Sequence, residues 1–500
     1  MSLPIPTSKN SFPRLVAYSL LFLIFSGITL RPYVQSGFWY DDVVSSQVWG
    51  MVHRYGLSIW AFTWKMFATS PDSGRLLGAY LEMYPLFYFV HNPVFIKLID
   101  VSLVLINVAC FGWLLRELKA SRGFILTFAI VFVGSLQLRD FFEAIGAFST
   151  LYPSLGIYMI VSLVLLAKWK NTFQTKWLYA SVAVVAVSLF IYELNVIYFP
   201  VALLLVLSQR KAIRNTIASL SIVVVPAMSY IALELWIKSH ASGQYEGTTF
   251  GGMSLVLLTL SKQLIAGLPG SFYAFRGYWQ VPYPVLLNTF ENSHSLWLLG
   301  GIVFVLLVVS TRRETIACRI DWFAYFCAAA LIILPAVTIS MSAKYQKEII
   351  WGAGYLPVYY QFFGVAFFLT AAIRAISTYS PNAGRVVMVM IIALYIPLNV
   401  IVNHHMRDVL DAGFWNDRVS LQQALRDGLL NPVQDGDIVD TKGLPPWIGG
   451  DLIYQTVQKK VVVPGEIPFP FLHLDPSASP NHFSLEKSGS GWVLNRVAPN

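Results

Sequence analysis

Long apolar runs alternate with two kinds of polar segment along this chain. Runs near the ~20 residues that cross a bilayer predict transmembrane helices. They fall at roughly 14–31, 94–115, 123–138, 151–167, 177–192, 194–208, 216–237, 295–310, 322–342, 355–373 and 386–402. One set of connections is short and basic: Arg116/Lys119/Arg122, Lys168/Lys170/Lys176, Arg210/Lys211/Arg214, Arg312/Arg313/Arg319 and Arg374/Arg385. The other set is long, aromatic and rich in Gly and Pro: 32–93, 139–150, 238–294, 343–354 and the tail 403–500. With eleven spans all the basic loops share one side with Lys9 and Arg14, and the positive-inside rule makes that side cytoplasmic. The N-terminus is then inside and the tail outside. Omitting one span would swap the sides of every later loop, so the consistency supports the count.

Within the long segments, shorter periodicities appear. Val44, Val48, Met51, Val52 and Tyr55 recur at helical spacing opposite Ser45, Ser46, Gln47, His53 and Arg54. This predicts an amphipathic helix over 43–67 lying in the membrane interface, with Trp49, Trp60 and Trp64 at that depth. Segment 76–90 is apolar, too short to span and interrupted by Pro85, which suits an interfacial or re-entrant helix. In the tail, Leu410, Phe414, Leu421, Leu425 and Leu429 mark the buried face of one or two helices, and 437–440 and 459–463 read as strands. The expected fold is an all-α polytopic membrane domain over 1–402 followed by a small soluble α/β domain over 403–500.

Composition agrees. The 500 residues are 56% hydrophobic and only 12% charged, with mean hydropathy +0.60, whereas soluble domains carry about 25% charged residues. The net charge of +9 resides largely in the short loops and reads as a topology signal, not as a nucleic-acid surface. Three cysteines show neither zinc spacing nor placement for an external disulfide. The N-terminal apolar stretch lacks a small-residue cleavage site and is expected to remain as the first span.

Against this background Asp41 and Asp42 stand out, following Trp39-Tyr40 just beyond the first span. Carboxylates at a membrane edge are costly unless wet, paired or used. Adjacent acids cannot point the same way, so one can face a site while the other orients it, caps a helix or binds a cation. An N-cap is the plain structural reading of Asp41. Phe38-Trp39-Tyr40-Asp41-Asp42, followed by Ser73-Gly74-Arg75-Leu76-Leu77, resembles bacterial O-antigen glucosyltransferases of the GtrII type and, more widely, the GT-C superfamily. The resemblance is sharp only over about 38–82. It implies a polyprenyl-phosphate-sugar donor, an external active site and an acidic base, Asp41 or Asp42, on the first external loop. It also implies an additional acid from the second external loop, for which Asp140 and Glu143 are candidates; an ion pair of one of them with Arg139 is the structural alternative.

A departing lipid phosphate needs positive charge. Arg75, Lys344 and Lys347 are candidates, against snorkelling to headgroups. Arg139 and Arg276 are further basic candidates, although the aromatic residues around Arg276 suit an interfacial belt. Glu82 is placed to pair with Arg75. An acidic pair can also hold Mg²⁺ or Mn²⁺, which leaves a divalent cation open. No nucleotide fingerprint or nucleophile elbow is present, as suits a lipid-carried donor. The expectation is transfer of one sugar from polyprenyl phosphate to a cell-surface glycan or lipid on the external face of a bacterial inner membrane. The alternatives are a lipid-linked glycan flippase, an O-antigen polymerase and a scaffold acting through its tail.

Overall fold

A computed structural model describes residues 11–140, 143–209, 213–243, 245–277, 320–464, 480–489 and 491–497, with isolated positions 298, 301, 302 and 476. The chain is a helical membrane protein: five helices are long and apolar enough to cross a bilayer, Pro93–Glu117, Leu151–Thr172, Arg214–His240, Trp322–Ser340 and Val358–Tyr379. Every other expected span except 295–310 also coincides with a helix. That segment, with Arg210/Lys211 and Arg312/Arg313/Arg319, lies outside the described residues.

Helix starts follow capping chemistry. Asn92 accepts from the Val94 N–H ahead of Pro93, Ser121 from Phe124 and Asp321 from Phe323. The expected span 123–138 stops being helical at Ser135, because Leu136–Asp140 unwinds. Exposed backbone inside a bilayer is prohibitive, and the last helical span supplies the missing partners. Asn399 Nδ2 donates to the carbonyls of Gly134 and Leu136 at 3.0 and 2.7 Å, and Asn403 Oδ1 accepts from Leu138 N–H at 2.7 Å. Elsewhere Asn107 Nδ2 donates to Pro153 O and Tyr359 Oη, and Tyr360 Oη donates to Asn195. Such interhelical hydrogen bonds hold bundles where apolar burial gives no advantage over lipid.

Contacts among the described connections join basic loops to one another and long loops to one another. Among the basic loops Lys170 pairs with Asp321 at 2.5 Å, and Asp321 N–H bonds Leu118 O. Among the long loops segment 241–245 hydrogen-bonds Asp72 and Ser73, and Gly251 bonds Met341 O.

The expected amphipathic helix 43–67 is broken into Asp41–Ser45, Val48–Arg54 and Ile59–Thr69, with Gly56 at φ 65 in the last break. Only the third piece presents its tryptophans outward, Trp60 at 64% and Trp64 at 61% exposure. The second piece is tied to the tail instead: Arg54 pairs with Asp451 at 2.9 Å and donates to Val461 O, and Gln47 donates to Trp447 O. Ala79–Phe89 forms the expected short helix through Pro85.

The last span runs on past residue 402 with no linker. Helix continues from Pro381 to Arg426 through π-turns at Ile391–Tyr395 and Asp411–Trp415. The tail then forms β1 (Ile438–Asp440), β2 (His482–Ser488) and β3 (Gly491–Val497), with β1 parallel and β3 antiparallel to the central β2. The expected strand at 459–463 contributes one parallel bridge, Ile438 to Val462.

Candidate functional site

The two adjacent acids have separate surroundings. Asp42 is fully buried. Its Oδ2 meets Lys97 Nζ at 2.6 Å and accepts from Ser149 Oγ, while Oδ1 accepts from Ser149 N–H at 2.9 Å. Lys97 also donates to Gly146 O, and Asp100 Oδ1 accepts from Thr150 N–H at 2.6 Å. This buried network fastens the first loop to segment 143–150 and to the start of helix Pro93–Glu117. The Asp42 carboxylate is thus already taken up by Lys97 and Ser149.

Asp41 is the opposite case. Tyr40, not Asp41, occupies the N-cap position of Asp41–Ser45, and no side chain caps that turn. The N-cap reading of Asp41 therefore fails. No described residue donates a hydrogen bond to the Asp41 carboxylate. It has exposed surface, yet dense surrounding protein desolvates it, a combination that describes a carboxylate on the wall of a concavity. Burial, with the neighbouring Asp42 charge adding, lifts its pKa to about 6, and Lys344 opposes the rise. Tyr40, immediately before it, has φ 48, a region a bulky residue avoids at a cost of order 1–3 kcal/mol. The conformation is held by its hydroxyl donating to Asp140 O and by its ring against Phe414, 4.5 Å between centroids.

Two expected cations converge near Asp41. Arg75 is buried, meets Glu193 at 2.7 Å and lies over the Tyr245 ring at 4.5 Å. Lys344 donates to Tyr245 Oη at 3.2 Å and lies over the same ring at 5.0 Å. Tyr345 Oη lies 3.2 Å from Tyr245 Oη. Arg75 Nε has no hydrogen-bond partner among the described residues. Tyr80 links the groups: burial raises its pKa, Arg75 opposes and Asp41 adds. Asp41, Tyr80, Arg75, Tyr245 and Lys344 thus lie close together.

Arg75 reaches this position because Gly74 adopts φ 79 at the end of the 3₁₀ turn Ser70–Ser73. The left-handed backbone of this turn is what calls for glycine at 74. Its ideal Cβ position meets only ordinary contacts, the nearest being Ala241 at 3.7 Å.

Several expected site residues are placed elsewhere. Glu143 is buried, and its Oε2 accepts from the N–H groups of Ile145 and Gly146, closing its own loop. Burial raises its pKa and those two bonds oppose the rise. Arg139 donates to Ala353 O and, at 2.6 Å, to Ala266 O beneath the Phe362 ring, so its guanidinium joins backbone carbonyls and not a phosphate. Glu82 accepts from Ser154 Oγ at 3.4 Å and not from Arg75, whose partner is Glu193. Lys347 is 70% exposed, its side chain 3.6 Å from Glu246. Asp140 meets Arg276 at 3.5 Å at the rim, while Phe275 stacks on Trp351.

A divalent cation shared by Asp41 and Asp42 does not fit, because the Lys97 ammonium already occupies Asp42. Among the described residues no group of three His, Cys, Asp or Glu side chains gathers to hold a metal.

The tail backs the acid pair. Asp411 Oδ1 accepts from Gly37 N–H at 2.9 Å and Trp39 Nε1 at 2.8 Å. Arg418 donates to Val43 O and Ser46 Oγ. A Cβ at Gly37 would lie 2.1 Å from Trp415, so only glycine admits that ring.

No protein-family model matches the chain, and no curated protein matches it. The likeness to GT-C enzymes therefore rests on the residues themselves.

Proposed function

We propose that this chain is an integral-membrane glycosyltransferase of GT-C type that takes a sugar from a polyprenyl-phosphate donor at the external face of a bacterial inner membrane. The observation that carries the reading is Asp41: a solvent-reached carboxylate without a hydrogen-bond donor among the described residues, its pKa lifted toward neutrality, in the neighbourhood of Arg75 and Lys344. A base works best with a pKa near the working pH. In the proposed step the acceptor hydroxyl oxygen bonds to the anomeric carbon and its proton passes to Asp41. The bond from that carbon to the phosphate oxygen breaks, and the electron pair leaves on the lipid phosphate. Arg75 and Lys344 stabilise that charge, Arg75 by a planar fork and Lys344 as a point charge. Tyr245 and Tyr80 offer ring faces for the sugar.

The eleven-span topology, with the basic loops cytoplasmic and the tail domain outside, belongs to the same reading. It is supported by the distribution of Lys and Arg among the short connections, and in this reading Asp41 lies on the non-basic side. The acceptor is a surface glycan or lipid.

The test is mass spectrometry of surface glycans from cells carrying the wild-type gene, the Asp41→Asn variant or no gene. The proposal expects one sugar to be missing in the last two. Unchanged glycans in the deletion strain contradict it. Movement of lipid-linked sugar across vesicles without a new glycosidic bond would favour the flippase, and altered chain length the polymerase.

A further inference from the structure

A second cavity lies beside a basic connection, away from Asp41. It has a volume of about 440 Å³ and sits between the end of helix Leu151–Thr172, the start of helix Thr175–Ile191 and the first turns of helix Arg214–His240. Thr175, Asn215 and Ser219 give it polar walls, and Trp169, Phe173 and Ile222 give it apolar ones. None of the three polar side chains has a hydrogen-bond partner among the described residues. Ser219 is the informative one. It is only 7% exposed, and a helical serine ordinarily returns its hydroxyl to a carbonyl of the preceding turn. Ser221, two residues on, does so with Ala218 O at 3.0 Å. Its hydroxyl, with no partner among the described residues, stays open to the cavity that it lines, where a ligand oxygen can take it up.

No charged side chain lines the cavity, and the chain neighbours of its polar residues are basic. Lys176 and Arg214 adjoin Thr175 and Asn215 in the chain, neither forms an ion pair with a described acid, and no acid lines the space. No side chain caps the start of helix Thr175–Ile191, which leaves its first N–H groups available. The wall formed by helix Arg214–His240 is lipid-facing over most of its length, with Ile217 60% exposed. Basic pockets between spans on the cytoplasmic side suit phospholipid headgroups.

We propose that this cavity binds a phosphate ester, supplied by the headgroup of an anionic membrane phospholipid. The phosphate accepts from Ser219, Asn215 and Thr175, Lys176 and Arg214 balance its charge, and the chains leave past Phe173 and Ile222 into the bilayer. The inference stands apart from glycosyl transfer.

Full-length protein in phosphatidylcholine nanodiscs is titrated with phosphatidylglycerol, and separately with inorganic phosphate. Retained lipid is counted by native mass spectrometry and the unfolding midpoint is recorded. Variants are Ser219→Val, and Arg214→Gln with Asn215→Ala, the latter pair at exposed positions that leave packing intact. The expected result is one retained phosphatidylglycerol with a raised midpoint, and affinity weakened on the order of tenfold in both variants. Equal stabilisation by phosphate alone overturns the lipid source and keeps the phosphate chemistry. Equal retention of phosphatidylglycerol by wild type and both variants overturns the site.

Discussion

At the residue scale, neighbouring carboxylates take opposite roles because their partners differ. Asp42 is held by Lys97 and Ser149, 55 and 107 positions away in the chain. That distance is why the acid pair was legible in the sequence while its division of labour was not. Removing one member of a buried ion pair costs about 3–5 kcal/mol, because the other charge is stranded. Asp42→Ala should therefore lower the unfolding midpoint strongly, and Asp42→Ala combined with Lys97→Met should recover most of the loss in a thermal melt.

Asp41 should behave in reverse. Its pKa is raised on folding, so the stabilisation it gives is present when protonated and is lost as pH rises through the folded value of about 6. Above that pH Asp41→Asn should melt no lower than wild type while losing activity. The nearby Lys344 charge lowers the Asp41 pKa, so Lys344→Met should move the acid limb of the pH–rate profile to higher pH. An acid limb that stays put would separate Lys344 from the base.

At the element scale, apolar periodicity located helices at nearly every expected span, five of them long enough to cross a bilayer, but not the places where helices stop. Leu136–Asp140 can unwind because Asn399 donates to the Leu136 carbonyl and Asn403 accepts from Leu138 N–H, and these partners lie more than 250 positions away. Arg139 and Glu143 looked like site residues because charge in an apolar context draws attention. Both instead satisfy backbone groups, Arg139 the carbonyls of Ala353 and Ala266 and Glu143 the N–H groups of Ile145 and Gly146. Tyr245 went unnoticed for the converse reason. A tyrosine in a long aromatic loop carries no signal until folding sets Arg75 and Lys344 over its ring. Tyr245→Ala should weaken donor binding more than Tyr245→Phe, since the ring serves both cations and the hydroxyl only Lys344. Donor titrations at fixed acceptor would show the order.

For the whole molecule, composition and apolar runs anticipated a helical membrane protein. The close union of tail and bundle was not legible. It depends on Arg54, Arg418 and Asp411 reaching segments hundreds of residues away. The tail forms the back wall of the acid pair, so its loss should disable the site even where the spans insert. Arg418→Ala should make the tail cleavable by protease at concentrations that leave wild type intact. Topology can be read in a cysteine-free background: an impermeant maleimide should label Lys347→Cys from outside the cell and Lys119→Cys only after permeabilisation.

The most direct measurement is the pH dependence of sugar transfer by protein reconstituted with a polyprenyl-phosphate sugar, comparing wild type with Asp41→Asn. The account predicts that the wild-type rate falls on the acid side with a midpoint near pH 6, and that folded Asp41→Asn protein transfers nothing across the whole range. Folded Asp41→Asn protein that retains wild-type transfer and the same acid limb would contradict it.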